Sequence, residues 1–404
     1  MLYVIIAIIL SILVYIYDMH GHTNKKFIWY WMACILLTCV AGLRYRLGID
    51  TIGYMVSYEE DIPTLANFWR EWQLGNFSFE FGSTLFFSIC KTITDSWLLP
   101  QFLIALITNI SIFKFALKNS DYPFCIILLY FLMFYFDICF ETLRQALALS
   151  VSLYAFEYLK EKAYWRYYTL CLVALLFHNI SIILFIIPLL QFKFNYKIAS
   201  AIVICCFAFF GLLSSFFQDI ASIFETYGSI MMARKAESYI DGETWGVETA
   251  LGHNRSILFY LATFLLEIVP VIFINYLFSK CNPKSQYTYF TPFILIWGIA
   301  VATKSTLPIM YRVQEFMLPA MCIIFAEILS MVRDNKVYLR KAIMLYTCAR
   351  MIIYWNYKRF YKVQEGVHTL PRIVSYYPYA DYFTEHIDAN REQFYREVGA
   401  SGSM

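Results

Sequence analysis

The chain alternates long apolar runs with short polar stretches. Runs fall near residues 1–17, 28–46, 97–117, 122–140, 144–159, 197–215, 255–278, 288–303, 308–330 and 341–355. A bilayer core about 30 Å thick is crossed by roughly 20 apolar residues in a helix. The pattern therefore predicts an all-α, polytopic integral membrane protein with about ten transmembrane helices. The first run lacks a basic leader and a small-residue cleavage site, so it is expected to stay as the first span.

Short loops rich in lysine and arginine face the cytoplasm. Lys25/Lys26, Lys118, Lys160/Lys162/Arg166, Lys280/Lys284 and Arg333/Lys336/Arg340/Lys341 all agree on one side if the N-terminus is outside. Two stretches do not read as plain spans. Tyr167 to Leu190 is interrupted by Phe177-His178-Asn179 and ends before Lys193 and Lys197. Two half-helices that dip in and return would keep those lysines inside, an arrangement tolerated where it lines a cavity. Ser78 to Asp95 carries Glu80, Lys91 and Asp95 and is expected to be interfacial or re-entrant on the outer side. The expected organisation is one helical membrane domain over 1–355, with outer loops at about 45–96 and 216–254. An extracytoplasmic, membrane-interface tail rich in tyrosine, arginine and acids follows over 356–404.

Composition supports this reading: 60% of the 404 residues are hydrophobic and only 15% charged, whereas soluble domains carry about a quarter charged residues. A net charge of +3, with no Lys/Arg-rich tract, argues against a nucleic-acid partner. The 11 cysteines lie mostly inside apolar runs, with no CxxC pair, and read as small hydrophobes. P-loop, GxSxG and HExxH motifs, zinc spacing and a DxD pair are all missing, so metal-free, cofactor-free chemistry is expected.

The densest polar cluster is Gly42-Leu43-Arg44-Tyr45-Arg46-Leu47-Gly48-Ile49-Asp50-Thr51-Ile52-Gly53-Tyr54, at the outer end of a span. Glycines permit sharp turns and close approach, and guanidinium forks match phosphate. Snorkelling arginines beside an ordinary turn would look the same. A second cluster, Glu141, Arg144 and Gln145, opens a span; charges at a membrane edge are paired or functional, and Glu141 and Arg144 are spaced to pair on one helical face. His178 lies deep in apolar sequence, as a proton carrier, a ligand contact or a hydrogen-bonded helix breaker. Arg255 and Arg312 mark two further outer ends, with Lys304 nearby. Arginines from four outer ends would ring one cavity suited to a lipid diphosphate, or would snorkel independently.

These residues carry a resemblance. Arg44-Tyr45-x-x-Gly48-x-Asp50-x-x-x-Tyr54 resembles the signature of the EpsG-like family of Wzy-type exopolysaccharide and O-antigen polymerases. Glu80-Phe81-Gly82, Leu143-Arg144-Gln145, Phe177-His178 with Ser181, and Arg312 with Leu318-Pro319 recur in the family's order. The tail departs from the expected pattern, with Ala380 where a lysine often follows the tyrosine.

The resemblance implies a GT-C-like membrane glycosyltransferase with its active site on the outer face of the bacterial cytoplasmic membrane. Donor and acceptor would both be oligosaccharide repeat units on polyprenyl (undecaprenyl) diphosphate, with a chain-length regulator or a flippase as a possible membrane partner. Arg44, Arg144, Arg255 and Arg312 are then the expected diphosphate ligands. Asp50, His178 and Glu141 compete as the base, and Tyr54 and Gln145 are expected to bind sugar hydroxyls. A glycan ligase with the same donor, a flippase for lipid-linked sugars and an acyltransferase using His178 are the alternatives.

Overall fold

A computed structural model describes residues 2–75, 77, 79–191, 195–209, 257–281, 284–304, 307, 309–334 and 372–397. The expected span at 341–355, the loop at 216–254, Lys193 and Arg255 lie outside the described residues. Among the described residues the secondary structure is helical, with one isolated antiparallel bridge pairing Arg44 and Asp381.

Among the described residues, four helices are long and apolar enough to cross a bilayer: Leu2–Met19, Leu98–Asn119, Tyr260–Lys280 and Ile309–Ser330. Others that the sequence reads as spans are shorter apolar helices, such as Lys26–Gly42 and Pro123–Met133. The four long helices fall on four of the expected runs, those near 1–17, 97–117, 255–278 and 308–330.

The chain divides into two compact units, residues 1–185 with 352–404, and residues 186–351. In the first, α1 (Leu2–Leu13) continues through a π-helical turn to Met19. It is followed by α2 (Lys26–Gly42), α3 (Ile49–Glu60), α4 (Phe68–Leu74), α5 (Phe81–Ile93), α6 (Leu98–Asn119), α7 (Pro123–Met133), α8 (Leu143–Lys160) and α9 (Tyr164–Phe177). Helix α6 is central, packed on α2 and α8, while α8 packs on α9, and α1 on α7. Small residues allow the close approaches: a Cβ on Gly42 would lie 2.6 Å from the Phe102 ring. One side of α1, with Val4, Ile5, Ile8 and Ile12, is exposed, as a lipid-facing helix requires.

At His178 the chain reverses. The Tyr167 hydroxyl, near the start of α9, donates to the Leu184 carbonyl at 2.7 Å, and the Tyr168 and Phe185 rings stack 5.8 Å apart. The 3₁₀ segment Asn179–Ile186 therefore runs back along α9.

The second unit joins Tyr196–Ala208, Val269–Cys281, Lys284–Thr303 and Ile309–Asp334. Asn275 Nδ2 donates to the Tyr196 carbonyl at 3.0 Å and to Ser200 Oγ at 3.2 Å. A Cβ on Gly298 would meet Val203 at 2.8 Å and Val271 at 3.0 Å.

Candidate functional site

The site begins where α2 ends. Residues 43–48 wrap around the Arg44 side chain, which is 0% exposed. Its Nε donates to the Leu47 carbonyl at 3.2 Å, one terminal nitrogen to the Ala41 carbonyl, and the other to Thr51 Oγ1 at 3.0 Å. The guanidinium also lies 4.6 Å from the Phe140 ring centre. An arginine spent on its own loop has no face for a ligand, so Arg44 does not fit the expected place among the diphosphate ligands. Gln101 of α6 clamps the same loop, donating to the Gly42 and Arg44 carbonyls at 2.9 and 2.8 Å.

Gly48 turns the loop into α3 with φ +101°, and a Cβ there would overlap the Phe140 carbonyl oxygen. Only glycine combines that dihedral with that clearance. Thr51 Oγ1 then donates to the same carbonyl at 2.5 Å.

Three helices start within this cluster. The Asp50 amide, in the first turn of α3, donates to Glu141 Oε2 at 2.8 Å. Glu141 closes the π-helical turn Asp137–Glu141 that precedes α8. Arg144, the second residue of α8, pairs with Glu80, which is the N-cap of α5. The expected Glu141–Arg144 pairing along one helical face is replaced, because Glu141 ends the π-helical turn and the non-helical Thr142 breaks the helix before α8 begins. Helix starts carry partial positive charge from unpaired N–H groups, so acids at 50, 80 and 141 are favourably placed.

Arg144 keeps part of its surface, with its side chain 19% exposed. Its Nε donates to the Tyr54 hydroxyl at 3.2 Å, and its guanidinium lies 4.6 Å from the Phe79 ring centre. Tyr54 stacks on Trp97 at 6.2 Å and 5°. Gln145, the other expected sugar contact, is fully buried on α8.

His178 connects to this cluster through α5. Ser83 Oγ donates to the Phe177 carbonyl at 2.8 Å, and a Cβ on Gly82 would lie 2.9 Å from the Leu176 carbonyl oxygen. His178 Nδ1 accepts the Ile180 amide at 3.1 Å, so its neutral ring carries the proton on Nε2. That tautomer is inferred from the hydrogen bond.

The segment 372–397, where Ala380 departs from the family pattern and no site residue is expected, is built into the site. Its backbone pairs with the loop: Tyr45 N donates to the Ala380 carbonyl at 2.9 Å, Tyr382 N to Leu43 at 3.0 Å and Gly48 N to Ser375 at 3.0 Å. Arg46 makes a bidentate pair with Glu392 at 3.0 and 2.9 Å. The Glu392 hydrogen bonds hold the Arg46 guanidinium above its ordinary pKa. The Tyr395 hydroxyl donates to the Arg46 carbonyl at 3.0 Å; burial pushes that phenol well up, so it remains a donor. Phe394 and Tyr395 share a small core with Ile52. Tyr376, finally, donates its hydroxyl to Glu141 Oε1.

In the second unit Arg312 stands 4.0 Å from Glu315, and Lys304 pairs with Glu267 at 3.0 Å. Among the described residues no three His, Cys, Asp or Glu side chains cluster as metal ligands would.

One family model matches this chain, that of the EpsG family, over residues 27–366. The chain belongs to the EpsG family. No curated protein and no solved structure matches it. EpsG-family membership, together with the candidate spans, makes it a multi-pass membrane protein of polysaccharide biosynthesis. The match to EpsG takes in the loop at 43–54, Glu80, Glu141, Arg144, His178 and Arg312, and ends short of Tyr376.

Sequence reasoning missed Gln101, Tyr376, Glu392 and Tyr395. Gln101 carried a faint signal, as a polar residue inside an otherwise apolar run. The three tail residues carried none that was local.

Proposed function

We propose that the chain is a Wzy-type polysaccharide polymerase. It transfers a growing glycan from polyprenyl diphosphate to a hydroxyl of a lipid-linked repeat unit, on the outer face of the bacterial cytoplasmic membrane. The observation that carries this reading is the partly exposed Arg144, at the start of α8 and beside the start of α5. Helix N-termini and a guanidinium fork favour a phosphorylated ligand, and EpsG membership supplies the polysaccharide context.

In the reaction the acceptor oxygen attacks the anomeric carbon of the donor sugar. The bond from that carbon to the diphosphate oxygen breaks, its electrons leave on the diphosphate, and the acceptor proton passes to a base. Arg144 stabilises the charge growing on the leaving group, where fixed dipoles in a water-poor site are most effective. Asp50 is the base we favour, because its backbone is fixed by Glu141. His178 is less suited to be the base, since its Nδ1 lone pair already accepts from Ile180. Glu141 is 3% exposed and serves better as the group that fixes Asp50 than as a base. Arg44 shapes the loop. The mechanism uses no metal and no cofactor.

Deleting the gene tests this reading. Single repeat units should accumulate on lipid at the outer leaflet; units trapped on the cytoplasmic leaflet would instead indicate a flippase.

A further inference from the structure

Tyr376 touches the acids of the site from the far end of the chain. It is 1% exposed, and its hydroxyl donates to Glu141 Oε1 while Glu141 Oε2 accepts the Asp50 amide at 2.8 Å. Tyr376 is itself fixed on several sides. Its carbonyl accepts the Tyr3 hydroxyl at 2.9 Å, and its ring meets Phe136 and Phe140 edge-on at 5.5 and 6.0 Å. Ser375, just before it, accepts the Gly48 amide at 3.0 Å. A carboxylate held at both oxygens cannot turn about its last bond. The phenol therefore fixes where Glu141 presents its second oxygen, and that oxygen holds the Asp50 amide.

We propose that Tyr376 is a positioning residue for Asp50, acting through Glu141, and that segment 372–397 is a wall of the site. The kinetic part of this proposal rests on the polymerase reading, in which Asp50 is the base. A base displaced from its approach line slows the chemical step while donor binding at Arg144 is untouched.

The test uses the full chain in lipid nanodiscs, as wild type, Tyr376→Phe and Tyr30→Phe. Tyr30 is the control: it is an equally buried phenol outside the site, on α2, and its hydroxyl donates to the Phe113 carbonyl of α6 at 2.8 Å. Two quantities are read, amide hydrogen exchange over residues 49–52 and steady-state kinetics on polyprenyl-diphosphate-linked repeat units. Tyr376→Phe should speed exchange at least about tenfold and lower kcat at least about tenfold, with KM within about twofold. Tyr30→Phe should change neither. Wild-type exchange in Tyr376→Phe overturns the proposal, as does faster exchange with an unaltered kcat. An equal kcat loss in Tyr30→Phe also overturns it, because loss of any buried phenol hydroxyl would then have the same effect. A wild-type chain inert toward lipid-linked units overturns the polymerase reading itself, and exchange alone then decides whether Tyr376 places Glu141.

Discussion

Arg144 at the start of α8 and Glu80 at the start of α5 form an ion pair at the mouth of the cluster, with side chains 19% and 8% exposed. The acid is the resting counter-ion of a guanidinium that reaches the surface, whereas Arg44 is spent on its own loop and Arg46 is held at both ends of its fork by Glu392. Arg144→Ala should cost at least about 100-fold in polymer formation while the protein still inserts into the membrane. Arg144→Lys keeps the charge, loses the fork and should fall between the two. Polymer ladders on gels, set against membrane-fraction immunoblots, check both variants.

Gly48 and Gly53 make a paired test of backbone strain. Gly48→Ala would drive a Cβ into the Phe140 carbonyl oxygen at φ +101°, and should destabilise by about 2–4 kcal/mol. Gly53 lies inside α3, and a Cβ added there would meet nothing within 4 Å. Gly53→Ala should therefore stabilise by about 0.5–1 kcal/mol. Thermal unfolding of the detergent-purified variants reads both signs.

How much of this was legible in the sequence depends on how local the signal is. The loop at 42–54 stood out because glycines, cations and an acid crowd into it, and the reversal at His178 stood out because polar residues interrupt an apolar run. The inward turn of Arg44 was not legible, since a span-end arginine that snorkels, binds a ligand or feeds three nearby acceptors has the same neighbours in sequence. The tail was illegible for a different reason. Glu392 meets Arg46 across 346 residues, and no periodicity reports a pairing of that range.

The Arg46–Glu392 clasp gives a pH prediction. The Arg46 pKa is raised in the folded chain, chiefly by its hydrogen bonds to Glu392. Its contribution is therefore fully present below the unfolded arginine pKa and is lost only as pH rises through the higher folded value. From this arginine the clasp should not vary across roughly pH 6 to 9. Limited proteolysis of the segment 372–397 should be flat over that range in wild type and faster throughout in Glu392→Gln.

The proposed chemistry places the leaving-group charge on Arg144 and helix starts, so turnover should persist in a strong chelator. Loss of activity in chelator, restored by a divalent cation, would show that a metal takes part.

Reconstitution tests the central proposal most directly. Purified chain in lipid vesicles, supplied on the outer face with polyprenyl-diphosphate-linked repeat units as its only substrate, should yield a ladder of longer glycans and release one polyprenyl diphosphate per bond formed. Repeat units that stay single, or that only change leaflet, would contradict it.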